Sequence, residues 1–161
     1  MQRNQAKTMM EYYGGIADMI SQLQGERADL ENQHYNAMGA AAADGMPHSG
    51  TPGKPVESMA INAAEKGVGE RLREIDTRLE VLRSDAATIR GCLDCVNGRY
   101  KRILSMRYLH RYSWGKIAVR LEAPDSTARS WHEKALDAIG EALDGAPMID
   151  GVLARASRAR V

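Results

Sequence analysis

Apolar residues recur along this chain with helical spacing and never with the alternation of a strand. The clearest run is Val68, Leu72, Ile75, Leu79, Leu82, Ala86, Ile89, Leu93, Val96, in alternating steps of four and three. That is the seam of a heptad helix, and at 1.5 Å per residue its span is about 43 Å. Arg71, Arg73, Glu74, Asp76, Arg78, Glu80 and Arg83 lie between the seam positions as a solvated face of mixed sign. So narrow a stripe needs another helix to cover it. Met9, Tyr12, Ile16, Met19, Leu23, Leu30 and Ala37 repeat the spacing, with Arg27 and His34 at two seam positions. Polar seam residues weaken a stripe but fix its register.

Gly39 to Pro55 reads GAAAADGMPHSGTPGKP. Its glycines and prolines break helices and favour extended chain, so a mobile connector is expected there. Residues 1–96 thus read as a helical hairpin or coiled coil with a loop at 39–55, pairing either within one chain or between two. Asn97-Gly98 suits the left-handed end of the long helix. Beyond Leu143, Gly145, Pro147, Gly151 and a basic end predict a flexible basic tail over 144–161.

Residues 97–143 have a different character. A first short helix, Arg99 to His110, sets Ile103, Leu104, Met106, Tyr108 and Leu109 inward. Ser113 is a good N-cap, and Trp114, Ile117, Ala118 and Leu121 then share one face. A turn at Glu122–Pro124 leads to a last helix opening near Pro124 or Asp125, both favoured in a first turn. Ala128, Trp131, Ala135, Leu136 and Ile139 are its expected buried side, with His132 at the edge toward solvent. Two short helices joined by so tight a turn, the second exposing small polar and basic residues at its start, are a helix-turn-helix pattern.

Composition agrees with an all-α class: there is no Phe and only eight Tyr and Trp together, whereas strands favour aromatic and β-branched residues. The net charge of +1 averages over unequal segments. From Arg99 to Leu136, nine Lys and Arg face only Glu122, Asp125 and Glu133. Such a surplus favours phosphate partners, with affinity supplied by counterion release. Arg111 and Lys116, where helices would meet a DNA backbone, and Lys134 are the phosphate candidates. Arg129 is the candidate for a bidentate contact to guanine. The chain has no apolar run approaching a membrane span and no signal-like N-terminus, and two cysteines are too few for a disulfide scaffold. A cytoplasmic protein with no membrane partner is expected.

The stretch RYLHRYSWGKIAVRLEAPDSTARSWHEKAL resembles the region-4 DNA-binding module of bacterial sigma factors over about residues 107–143. With the helical region and the Gly/Pro connector ahead of it, the chain resembles the small phage late-transcription regulators of the RinA/ArpU type. The resemblance implies a sequence-specific, double-stranded-DNA-binding transcription regulator, homodimeric or of higher order, working in a bacterial host cell, with RNA polymerase as a further partner. It puts Asp125, Ser126, Arg129 and Ser130 at base edges, and Thr127 and Lys116 near phosphates. Asp125 has two readings, accepting from cytosine or capping its helix. Pro124 stands where that module has a Ser or Thr cap, Trp131 replaces a smaller aliphatic residue, and nothing resembles a promoter-melting region. Two alternatives are a phage DNA-packaging protein of the small-terminase kind and a protein that docks on RNA polymerase without touching DNA.

No nucleophile elbow, phosphate loop or zincin pattern occurs, so the reading is not that of an enzyme, and no catalytic residue, cofactor or metal is expected. Cys92-Leu93-Asp94-Cys95 is a lone CxxC with no second ligand pair near it, and His34, His48, His110 and His132 are scattered. Because Leu93 holds the seam, packing is the expected role of the cysteines.

Overall fold

The computed structural model describes residues 1–42 and 55–160, with side chains described over 1–36 and 64–160. Among the described residues every regular element is helical, so the protein is all-α. The helices are α1 (Arg3–Ala42), α2 (Pro55–Asp94), α3 (Gly98–Leu104), a π-helical turn (Ser105–Leu109), α4 (Trp114–Leu121), α5 (Asp125–Asp144) and α6 (Ile149–Ala159). None is long and apolar enough to cross a membrane. The connector expected at 39–55 is shorter: α1 runs on through Ala42, α2 starts at Pro55, and 43–54 lie outside the described residues. Proline opens α2 at no cost because a first-turn N–H needs no partner.

The chain forms two compact units, Met1–Asp18 with Leu82–Val161, and Met19–Val81, rather than dividing after Val96. In the second unit Leu23 of α1 and Ile75 and Leu79 of α2 are buried. Two ion pairs flank them: Arg27 Nε donates to Asp76 at 2.8 Å and Arg71 Nε to Glu26 at 3.0 Å. The polar seam residue Arg27 therefore finds a carboxylate on α2 of the same chain.

In the first unit the start of α1 is a core element. Ala6, Met9, Met10, Tyr12 and Ile16 are all buried, a wider face than one heptad seam presents. Arg3 fixes α1 to α5, donating to both carboxylate oxygens of Asp137 at 2.8 and 2.6 Å and to Glu133 at 3.2 Å. The Met1 ammonium pairs with Asp144 at the far end of α5. From α2, Ile89, Cys92 and Leu93 are buried, and Val96 is half-buried. Of the nine seam residues, Ile75, Leu79, Ile89 and Leu93 are buried within the chain, and Val68, Leu72, Leu82, Ala86 and Val96 are half-buried. Cys92 donates weakly to the Ala142 carbonyl at 3.6 Å, and burial pushes its thiol pKa up; Cys95 lies beyond the helix and is exposed.

Three sequence expectations change here. Asn97 does not close α2 in a left-handed conformation: it is the N-cap of α3, with φ −48°, and its side chain accepts from the Arg99 N–H. The first helix of the C-terminal group breaks into α3 and the π-helical turn, which leaves Leu109 exposed. The stretch read as a loose tail carries α6, with Val152 and Ala156 buried. Its anchor is Asp85, itself 1% exposed in the middle of α2. Arg155 donates to both oxygens of Asp85, at 2.7 and 2.6 Å, and the Tyr12 hydroxyl donates to it at 2.8 Å. A buried carboxylate is tolerated only when so paired. Burial first, then the hydrogen bond to Asp85 and its charge, raises the Tyr12 pKa well above the usual phenol value.

Candidate nucleic-acid interface

Helix α5 packs on α3 and on α4, α4 also rests on the π-helical turn, and the joint between α4 and α5 is built from local signals. The Ser113 hydroxyl accepts from the Lys116 N–H at 3.3 Å and caps α4. Glu122 takes the left-handed conformation, φ 51°, and closes α4 with its N–H on the Ala118 and Val119 carbonyls. Pro124 then restarts the chain as α5 with no side chain capping the new helix. Met106, Ile117, Ala118 and Ala128 form the core beneath this joint, with Tyr112, Trp114 and Leu121 packed against it.

Over that core, Asp125, Ser126, Arg129 and Ser130 are all exposed on the opening turns of α5. Arg129 faces Asp125 at 3.6 Å, and its guanidinium lies 5.2 Å from the centre of the Trp114 ring. Asp125 occupies the first helical position and engages Arg129 rather than supplying the side-chain cap. Lys116 is exposed and stands 3.9 Å from the centre of the Tyr112 ring, with Arg120 at 4.9 Å from the same ring. Arg107 lies 4.8 Å from the centre of Trp114. Cations stacked on rigid rings are held in place while their remaining N–H groups point outward. Thr127 is half-buried and Lys134, about two turns further along α5, is exposed.

Arg111 is placed differently from the other phosphate candidates. It sits at φ 53° just after the π-helical turn, and its guanidinium reaches Asp18 at 3.1 Å and the Gly14 carbonyl at 3.5 Å, both on α1. The pair is exposed and weak, of the kind worth at most about 1 kcal/mol.

On α5, Ala128, Ala135, Leu136 and Ile139 are buried as expected, and two neighbouring positions depart from the expectation. Trp131 is half-buried under Arg99, whose guanidinium lies 4.7 Å from its ring centre, whereas His132 is 9% exposed. His132 Nε2 meets the Tyr108 hydroxyl at 2.9 Å, and the imidazole stands edge-on to Trp114 at 4.9 Å between ring centres. Burial, with Arg107, Lys7 and Arg3 adding repulsion, lowers the His132 pKa from 6.5 to about 4, so the ring is neutral near pH 7. Burial likewise raises Tyr108 to about 12. This cluster was missed in the sequence because a lone histidine on a basic helix reads as a surface residue; the step of four from Ala128 was its only signal. Among the described residues no three His, Cys, Asp or Glu side chains gather as metal ligands.

No curated protein and no solved structure matches this chain. A family model described as "Protein of unknown function (DUF722)" matches residues 5–141, most of its length, and the chain belongs to that family.

Proposed function

We propose that this protein is a sequence-specific double-stranded-DNA-binding transcription regulator, with α4 and α5 as a helix-turn-helix and the opening turns of α5 as the reading element in the major groove. The observation that carries the reading is the exposed set Asp125, Ser126, Arg129 and Ser130 at an α5 start that no side chain caps, bordered by Lys116 and Arg120. A helix N-terminus favours an anion through its open N–H groups and dipole, which suits a phosphate beside the groove. Arg129 offers guanine two donors, while Lys116, Thr127, Lys134 and Arg111 hold phosphates. In this reading two copies act together as a homodimer or higher oligomer in the cytoplasm of a bacterial host, on late genes of a phage, with RNA polymerase nearby. A dimer would demand a two-part site about one helical turn apart.

Selection of bound duplexes from a random library, followed by fluorescence anisotropy at several salt concentrations, tests the proposal. The expected outcome is an enriched motif bound more tightly than scrambled DNA, with affinity falling steeply as salt rises. Recovery of no motif, with equal weak binding to every duplex, would refute sequence-specific regulation. Light scattering with and without the selected duplex tests the oligomer.

A further inference from the structure

Behind the exposed face lies a cleft of about 440 Å³ lined by Lys7, Glu11 and Gly14 of α1, by Arg107, Tyr108 and Arg111, and by Trp114 and His132. Its size suits a small ligand. Three cations line it against one carboxylate, and that carboxylate is already shared between Lys7 at 3.8 Å and Arg160 at 3.8 Å. His132 is more than nine-tenths buried, and Tyr108 occupies its Nε2. Among the described residues no protein group bonds its Nδ1, and since no fully buried side-chain nitrogen or oxygen there lacks a partner, this atom is open to solvent. The Tyr108 phenol keeps its proton, and in the tautomer in which it donates to Nε2 the ring hydrogen is on Nδ1. His132 is neutral near pH 7 and lines a cleft in which Lys7 pairs with Glu11 and Arg111 with Asp18, whereas Arg107 has no carboxylate within ion-pair distance among the described residues.

We propose that this cleft binds a small anion, a phosphate or dicarboxylate group, which accepts from His132 Nδ1 and is held by Arg107 and Lys7. Arg107 can join it: its guanidinium stacks on Trp114, and among the described residues its one hydrogen bond is from Nη1 to the Tyr112 carbonyl at 3.1 Å. Occupancy would be felt at the reading helix, because His132 and Arg107 both touch Trp114, the ring on which Arg129 rests. That consequence rests on the DNA-reading proposal; the binding itself does not.

The full-length protein is titrated with inorganic phosphate and, separately, with succinate, against chloride at matched ionic strength. Calorimetry and the assigned His132 ring signals in NMR give the readout. Saturable binding is expected, with the His132 midpoint rising above its free value of about 4, since a bound anion favours the imidazolium. Phosphate alone, succinate alone or both saturating the site identifies the anion class and supports the proposal. Arg107→Gln and Lys7→Gln should each weaken binding about tenfold, the loss of one charge-assisted hydrogen bond. Lys7 is half exposed, so its variant folds and keeps the test valid if Arg107→Gln does not. Linear shifts equal to those with chloride, or saturation that ignores Lys7→Gln and leaves His132 unmoved, overturn the proposal. Saturable phosphate binding by a protein that binds no duplex would uphold this site and sink the DNA reading alone.

Discussion

Replacing Gly14 by alanine adds one methyl group at the tightest approach in the first unit. A Cβ built there would lie 2.3 Å from the Tyr108 carbonyl oxygen and 3.1 Å from its carbonyl carbon. Both are backbone atoms, so no rotamer change relieves the clash. Either α1 or the π-helical turn that carries Tyr108 must move. Overpacking of this kind costs about 1 to 3 kcal/mol. Against it, alanine in a helix interior gains about 1 kcal/mol over glycine. The net expectation is a destabilisation of up to about 2 kcal/mol, hence a melting temperature lower by up to about 8 °C for a chain of this size. Gly25 in the same helix is the internal control, since a Cβ there meets nothing within 4 Å. Gly25→Ala should stabilise by up to about 1 kcal/mol, through helix propensity and a less flexible unfolded chain. Urea and thermal unfolding followed by circular dichroism give both values. Movement of the turn also shifts Tyr108, so the His132 ring signals should change in Gly14→Ala and not in Gly25→Ala. If the two variants are stabilised alike, α1 does not press on the Tyr108 carbonyl and the argument for Gly14 is wrong.

Asp85→Ala should cost roughly 2 to 3 kcal/mol, below the range for a fully buried pair because Arg155 is half-buried. Trypsin should then cut at Arg155 and Arg158 faster than in the parent, and an unchanged cutting rate would mean that α6 docks without Asp85. Stability should also fall as pH drops from about 6.5 to about 4: the unfolded chain takes up a proton at His132 in that window and the folded chain does not. Asp137, held below the usual carboxylate range by Arg3, adds a loss only at lower pH, and His132→Gln should flatten the 6.5-to-4 slope. On DNA, Arg129→Ala should lose about 1 to 3 kcal/mol on a selected duplex and little on scrambled DNA, whereas Lys116→Ala should weaken both alike and reduce the salt slope by about one. Parent-like binding of both duplexes by Arg129→Ala would remove α5 as the reading element.

What the sequence made legible and what it hid differ by the range of the interactions. Ser113 caps the helix that starts one residue later, and Glu122 turns the chain three residues before α5 begins. Such signals act over one turn of chain, so the joint between α4 and α5, with its exposed Asp125, Ser126, Arg129 and Ser130, could be placed from residue order alone. The heptad seam of α2 is likewise local, and its period shows without any knowledge of what covers it. Asp85 breaks no rule of that period: it sits beside the seam and looks like one more solvated charge. It is buried because Tyr12 and Arg155, 73 and 70 residues away in sequence, converge on it. His132 was misjudged for the same reason, since the Tyr108 phenol comes from a different helix, as does the Tyr108 backbone that crowds Gly14. The α6 helix followed, because a short basic segment with two glycines has no strong helical signal until a buried carboxylate gives Arg155 a partner. Pairing of that kind is stronger in a low-dielectric interior than on a surface, and it selects residues that local pattern assigns to solvent. Polar residues at the margin of an apolar stripe are therefore where a helical sequence hides its tertiary contacts, and in this chain they include both the anchor of α6 and the donor in the anion cleft.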